Sequence, residues 1–113
     1  MAKTSTVTLT IVVSGDGGSS TYAPPGTTIT NPGAPDGGPH LFTLVAGPNT
    51  ITPPSGAKGI VILPGGPVTL KGVAGDTGLL LFSGQPSYFS LGDGQGAFVL
   101  SAVIGTSVTI QWT

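Results

Sequence analysis

Residues 58–82, KGIVILPGGPVTLKGVAGDTGLLLF, fall into three apolar pieces, 59–63, 68–73 and 79–82, separated by PGGP and AGDTG. No piece is long enough for a stable helix, and each break is made of turn-forming residues. The stretch therefore reads strand, turn, strand, turn, strand. In the middle piece Val68 and Leu70 point one way and Thr69 and Lys71 the other, the period of two expected when one sheet face is buried and the other wet. The flanking pieces are apolar on both faces. They are expected to be covered on both sides, by a second sheet or by another subunit.

The rest of the chain repeats this pattern. Residues 4–13 alternate Val7, Leu9, Ile11 and Val13 with Thr6, Thr8 and Thr10, which predicts one half-buried strand of good β-formers. Residues 14–40 contain GDGGSS, APPGTT and NPGAPDGGP, a density of Gly and Pro that forbids helix and interrupts ladders. We read them as an ordered Gly/Pro-rich loop or arm, broken by a short pair of strands around Tyr22 and residues 27–30. Residues 40–45 and 49–52 read as short strands joined by AGPN, and 87–91 as another with Phe89 and Leu91 inward. Residues 97–104 and 107–112 read as a tight hairpin across Gly105 and Thr106. In that hairpin Phe98, Leu100, Ala102 and Ile104 share a core with Val108, Ile110 and Trp112. Eight or nine short strands with no helical period predict one all-β domain over 1–113, an antiparallel β-sandwich of jelly-roll-like type.

Charge is the outlier of the composition. Only 6% of the 113 residues are charged, with three lysines, four aspartates and a net charge of −1, against about 25% charged residues in ordinary soluble domains. Nucleic acid is excluded as a direct partner, because phosphate binding needs clustered Lys and Arg. No apolar run approaches the ~18 residues of a spanning helix, so no membrane partner is expected. There is no cysteine for a disulfide or a thiolate site. The first residues, MAKTSTVTLTIVV, place threonines at alternate positions where a signal peptide carries an unbroken apolar run, which predicts synthesis without a signal peptide.

No catalytic constellation is visible. Asp16, Asp36, Asp76 and Asp93 all sit in glycine-rich turns. Calcium ligands gathered at one end of a sandwich are one reading of them, and turn residues bonding their own backbone are the other. The spacing favours turns, since neither EF-hand nor nonapeptide calcium repeats occur. Lys71 and Asp76 flank one turn and are placed to pair across it, at about 0–1 kcal/mol if exposed. His40 is the single histidine, and one imidazole without cysteines makes no zinc site. The Gly-rich stretches open no helix and so make no phosphate cradle. No metal, cofactor or catalytic residue is expected. Tyr22 and Tyr88 are the rings available to a sugar or receptor, Trp112 being in register with core positions. The candidate partner contacts are therefore Tyr22, Pro24, Pro25, Pro32, Pro35, His40 and Tyr88, mostly on a proline-stiffened segment that loses little entropy on docking.

An open sandwich has edge strands, which free-standing proteins protect with charge, proline or bulges. Here threonine and proline are almost the only guards, and mean hydropathy is +0.39. Such a surface predicts self-association or cover by a larger assembly. The segment KGVAGDTGLLLF, followed by PSYFSLGDGQGAFVLSAV and the closing strand TSVTIQWT, resembles small structural proteins of tailed bacteriophage virions over the half of the chain from Lys58 onward. The resemblance implies a non-enzymatic β-sandwich, made in the host cytoplasm and carried in the virion. It implies a capsid decoration or cement protein, often trimeric, with the major capsid protein or other virion proteins as partners. A receptor- or carbohydrate-binding module of a phage appendage is the alternative it leaves.

Overall fold

The computed structural model describes residues 3–8, 10–15, 17–23, 27–31 and 39–113. Among them the chain forms twelve strands and no helix, and every pairing is antiparallel. The all-β class and the antiparallel sandwich expected from the alternating pattern are what is found. Eight strands build the sandwich itself. One sheet holds β5 (His40–Leu44), β7 (Gly59–Pro64), β10 (Ser87–Ser90) and β12 (Thr106–Trp112), in the order β10-β7-β12-β5. The other holds β6 (Gly47–Ile51), β8 (Val68–Lys71), β9 (Leu79–Leu81) and β11 (Phe98–Ala102), in the order β6-β11-β8-β9.

The pairing has a simple logic. β5 pairs with β12, β6 with β11, β7 with β10 and β8 with β9, as the successive rungs of one long hairpin would. Rolling that hairpin on itself adds β7 beside β12 and β8 beside β11. Every connection except β8 to β9 therefore crosses from one sheet to the other.

The core lies between the two layers. Leu44, Ile60, Ile62, Val108 and Ile110 come from one sheet and Val68, Leu81, Phe98, Leu100 and Ala102 from the other. Each fully buried Ile, Leu or Val contributes roughly 1.5–3 kcal/mol by leaving water. Phe89 and Leu91 pack against this cluster, and Trp112 does so beside Phe98, with ring centroids 6.5 Å apart. Val68 is wholly buried and Leu70 packs against the cluster, the inward pair that the alternation of their sequence predicts.

Two expectations need correction. β11 and β12 do not form a hairpin across Gly105 and Thr106 but occupy the middle of opposite sheets. In one sheet their apolar faces would lie side by side; in two sheets they face each other and close the core. Ile104 accordingly leaves the core, and Thr106 takes a buried place with its hydroxyl donating to the Ile104 carbonyl at 2.8 Å. Residues 4–13 are likewise not one half-buried strand. They divide between β1 (Lys3–Val7) and β2 (Ile11–Gly15), and the β2 side chains are exposed on both faces. β3 (Gly18–Tyr22) and β4 (Thr27–Asn31) fall within the Gly/Pro-rich region, β3 pairing with β2 and β4 with β1.

The one hairpin within a sheet of the sandwich, β8–β9, is held by its turn. The Asp76 carboxylate accepts from the Gly72 and Val73 amides at 3.1 and 3.0 Å, and Lys71 Nζ donates to the Ala74 carbonyl at 3.4 Å. The two charges thus serve the turn separately instead of pairing across it. Gly78 closes the turn at φ +78°, and a Cβ there would lie 2.6 Å from the Leu70 carbonyl oxygen. Gly94 has the same left-handed backbone, φ +77°, with open space around it. Gly94→Ala is expected to cost about 1–2 kcal/mol for the backbone alone. Gly78→Ala adds a steric clash of about 1–3 kcal/mol, so its urea midpoint falls clearly further. Equal losses for the two would show that the close approach at Gly78 carries no weight.

Candidate interaction surface

The winding sends alternate connections to opposite ends of the sandwich. Residues 45–46, 65–67, 82–86 and 103–105 gather at one end, as the pairs Leu44↔Thr106, Val108↔Pro64, Val68↔Leu81 and Ala102↔Gly47 require. Residues 52–58, 72–78 and 92–97 gather at the other, together with the start of β5 at His40. The consequence for charge is simple. Lys58, Lys71, Asp76 and Asp93, the four Lys and Asp side chains of residues 39–113, all stand at the second end, and the first has none.

The uncharged end is also apolar. Val45, Phe82, Val103 and Ile104 are 65%, 75%, 81% and 66% exposed, with Pro67 and Pro86 exposed among them. Scattered apolar residues on a surface need no explanation; a group on adjoining turns, free of any charge, marks a contact site. The turns are fastened from below. Asn49 Oδ1 accepts from the Val45 amide at 3.1 Å, and its Nδ2 donates to the carbonyls of Val45, Gly47 and Leu100 at 3.0–3.1 Å. Thr106 anchors the residues 103–105 connection in the same way. The Gly65 amide donates to the Ser107 carbonyl and the Gly84 amide to the Pro64 carbonyl, each at 2.8 Å. Apolar side chains are thus displayed on fixed turns, so little ordering entropy is lost when they are covered.

No protein-family model matches the chain, and no curated protein is significantly similar to it. The surface therefore has to be read from its own chemistry.

The contact residues expected from the sequence lie elsewhere. Pro24, Pro25, Pro32 and Pro35 fall outside the described residues, as do Asp16 and Asp36. Tyr22 is exposed on β3, away from the sandwich sheets. His40 starts β5 at the charged end, its ring edge-on to Phe42 with centroids 6.5 Å apart. Tyr88 lies on β10, at the opposite edge of the same sheet, and its hydroxyl leans over Gly59 at 2.5 Å from where a Cβ would sit. Tyr22 and Tyr88 stand in separate sheets and share no described contact, and Tyr88 is half-buried against its own strand neighbours. The sequence reasoning passed over Val45, Phe82, Val103 and Ile104. The signal available was the absence of charge from four separate turn segments, which has meaning only once the winding brings them together.

Between the sheets at the charged end a cleft of about 250 Å³ is walled by Ile60, Ile62, Leu70, Phe89, Leu91 and Phe98. Lys71 and Gln95 are the polar side chains on it. It lies below the ~300–1,000 Å³ of small-molecule sites, and no set of polar groups converges in it. Among the described residues no three of His, Asp and Glu cluster as metal ligands.

Asn49→Ala removes four hydrogen bonds beneath the apolar end and leaves part-buried carbonyls without a donor. It is expected to lower unfolding stability by about 1–3 kcal/mol. Hydrogen exchange at the Val45 amide should accelerate before exchange in β12 does; unchanged protection there would show that Asn49 does not hold the turn.

Proposed function

We propose that this protein is a non-enzymatic structural component that works by seating its uncharged, apolar end on a larger assembly. The single observation that supports this most is the segregation of charge. Four large apolar side chains occupy fixed turns at one end, while the Lys and Asp side chains of the sandwich are collected at the other. Burying each of the four contributes on the order of 1–2 kcal/mol after allowing for its present partial cover. Together they reach the range from which association costs can be met.

The assembly in question is, on the sequence resemblance of the half from Lys58 onward, a tailed-phage particle. In this reading the protein decorates or cements the capsid, with the major capsid protein or another virion protein as its partner. The sandwich supplies a rigid plug, and the charged end faces away from the lattice. No residue performs chemistry in this role.

The test is co-sedimentation with intact particles. Phe82→Lys combined with Ile104→Lys places two charges in the contact and is expected to abolish binding, with the near-ultraviolet spectrum of Trp112 unchanged. Because no charge is buried, binding by the unaltered protein should persist at molar sodium chloride and tighten in sulfate. Retention of the double variant on particles, or release of the natural protein by moderate salt, would sink the proposal.

A further inference from the structure

The sandwich has four edge strands, β5 and β10 in one sheet and β6 and β9 in the other. An edge presents backbone groups ready to pair with another chain, and soluble proteins blunt it with short strands, proline or charge. Three of the four are blunted in this way. β9 and β10 are short, at three and four residues, and β6 carries Pro48, which has no N–H to offer. β5 has five residues, HLFTL, with no proline, lysine or aspartate among them. Among the described strands it pairs with β12 alone.

Two further features adjoin that edge. The first is a slot of about 260 Å³ between β5 and β6, walled by Phe42, Leu44, Ile51 and Trp112 and lined also by Thr50 and Thr52. Phe42 stands in register with the fully buried Val108, so it belongs to the inward face of its sheet, yet it is 42% exposed. The second is continuity with the apolar end. β5 runs through Leu44 into the exposed Val45, and Leu41 on the same strand is exposed as well. A surface that covers the apolar end therefore lies beside the end of this edge.

We infer that β5 takes up an extended, uncharged segment of the docking partner as an added strand. Strand addition draws affinity from main-chain hydrogen bonds and specificity from pockets that receive alternate side chains. Here the free edge provides the first and the slot provides the second. Side chains two apart on an added strand share a face, so the segment carries Leu, Ile or Phe at every second position, toward the slot. A Lys or Asp there would be buried without a counter-charge, since no charged residue lines the slot. That the segment belongs to the partner rests on the docking reading; the strand pairing does not.

The experiment uses the full chain and a capped synthetic peptide of alternating Leu and Thr, with a lysine at each end for solubility. Binding is read from the fluorescence of Trp112, and amide exchange over residues 40–44 should slow at saturation. N-methylation of all the Leu amides or of all the Thr amides blocks opposite edges of the peptide. One of the two should abolish binding and the other should leave it, whereas equal effects would show that the slot captures side chains without strand pairing and would overturn the inference. Phe42→Lys places a charge where the added strand would bury it and should abolish peptide binding, with exchange in β12 unchanged. Phe82→Lys with Ile104→Lys should lose the particle yet keep the peptide, which separates this inference from the docking reading. On particles, residues 40–44 of the natural protein should be protected from exchange; binding without that protection overturns the assignment to the partner. So does a doubling of the 11.0 kDa mass in light scattering that Phe42→Lys reverses, since the occupant would then be a second copy.

Discussion

The packing of β11 against β12 across the sandwich is the contact on which the rest depends. Leu100, Val108 and Ile110 are wholly buried there, each strand lies inside its own sheet, and each is bonded on both sides. With these two strands in opposite layers, β5 and β7 can only flank one and β6 and β8 the other. The hairpin winding follows, and with it the delivery of alternate turns to opposite ends.

That division of turns is what gives the molecule a direction. A chain with so few ionised groups cannot cover its surface with charge, and solubility is left to Thr, Ser and Gly with the few charges it has. The four within residues 39–113, Lys58, Lys71, Asp76 and Asp93, are all at one end of the sandwich, around turns that also use them locally, as Asp76 caps the Gly72 and Val73 amides. The opposite end carries no charged residue, and its turns are held in place by Asn49 and Thr106. Asn49 and Thr106 secure backbone there, while Val45, Phe82, Val103 and Ile104 stand exposed. This inverts the usual arrangement of a loop, and it is intelligible when the outward face meets another surface instead of water.

The two N-terminal strand pairs differ from the sandwich in this respect. In the sandwich each sheet buries a face against its partner layer, whereas none of the described residues of β1 to β4 belongs to the core cluster. Backbone pairing alone is too weak to offset the entropy of ordering some two dozen residues.

The strands of the sandwich were legible from alternation and turn chemistry. The three pieces of 58–82 are β7, β8 and β9 to within two residues, and Phe89, Leu100, Val108 and Ile110 point inward as their spacing demands. The all-β antiparallel class follows from the same local physics, because Gly/Pro punctuation and a period of two are properties of neighbouring residues. Pairing is not local. Alternation shows which side chains share a face but not which strand lies beside which, so the hairpin expected across Gly105 and Thr106 became a crossing between sheets, and Ile104 moved from core to surface. The same limit hid the apolar end: Val45, Phe82, Val103 and Ile104 are spread over sixty residues, and nothing in their flanking sequence joins them. Composition determined that this surface would be poor in charge; only the winding of the two sheets, fixed by closing the core, decided where the charge went and what was left bare.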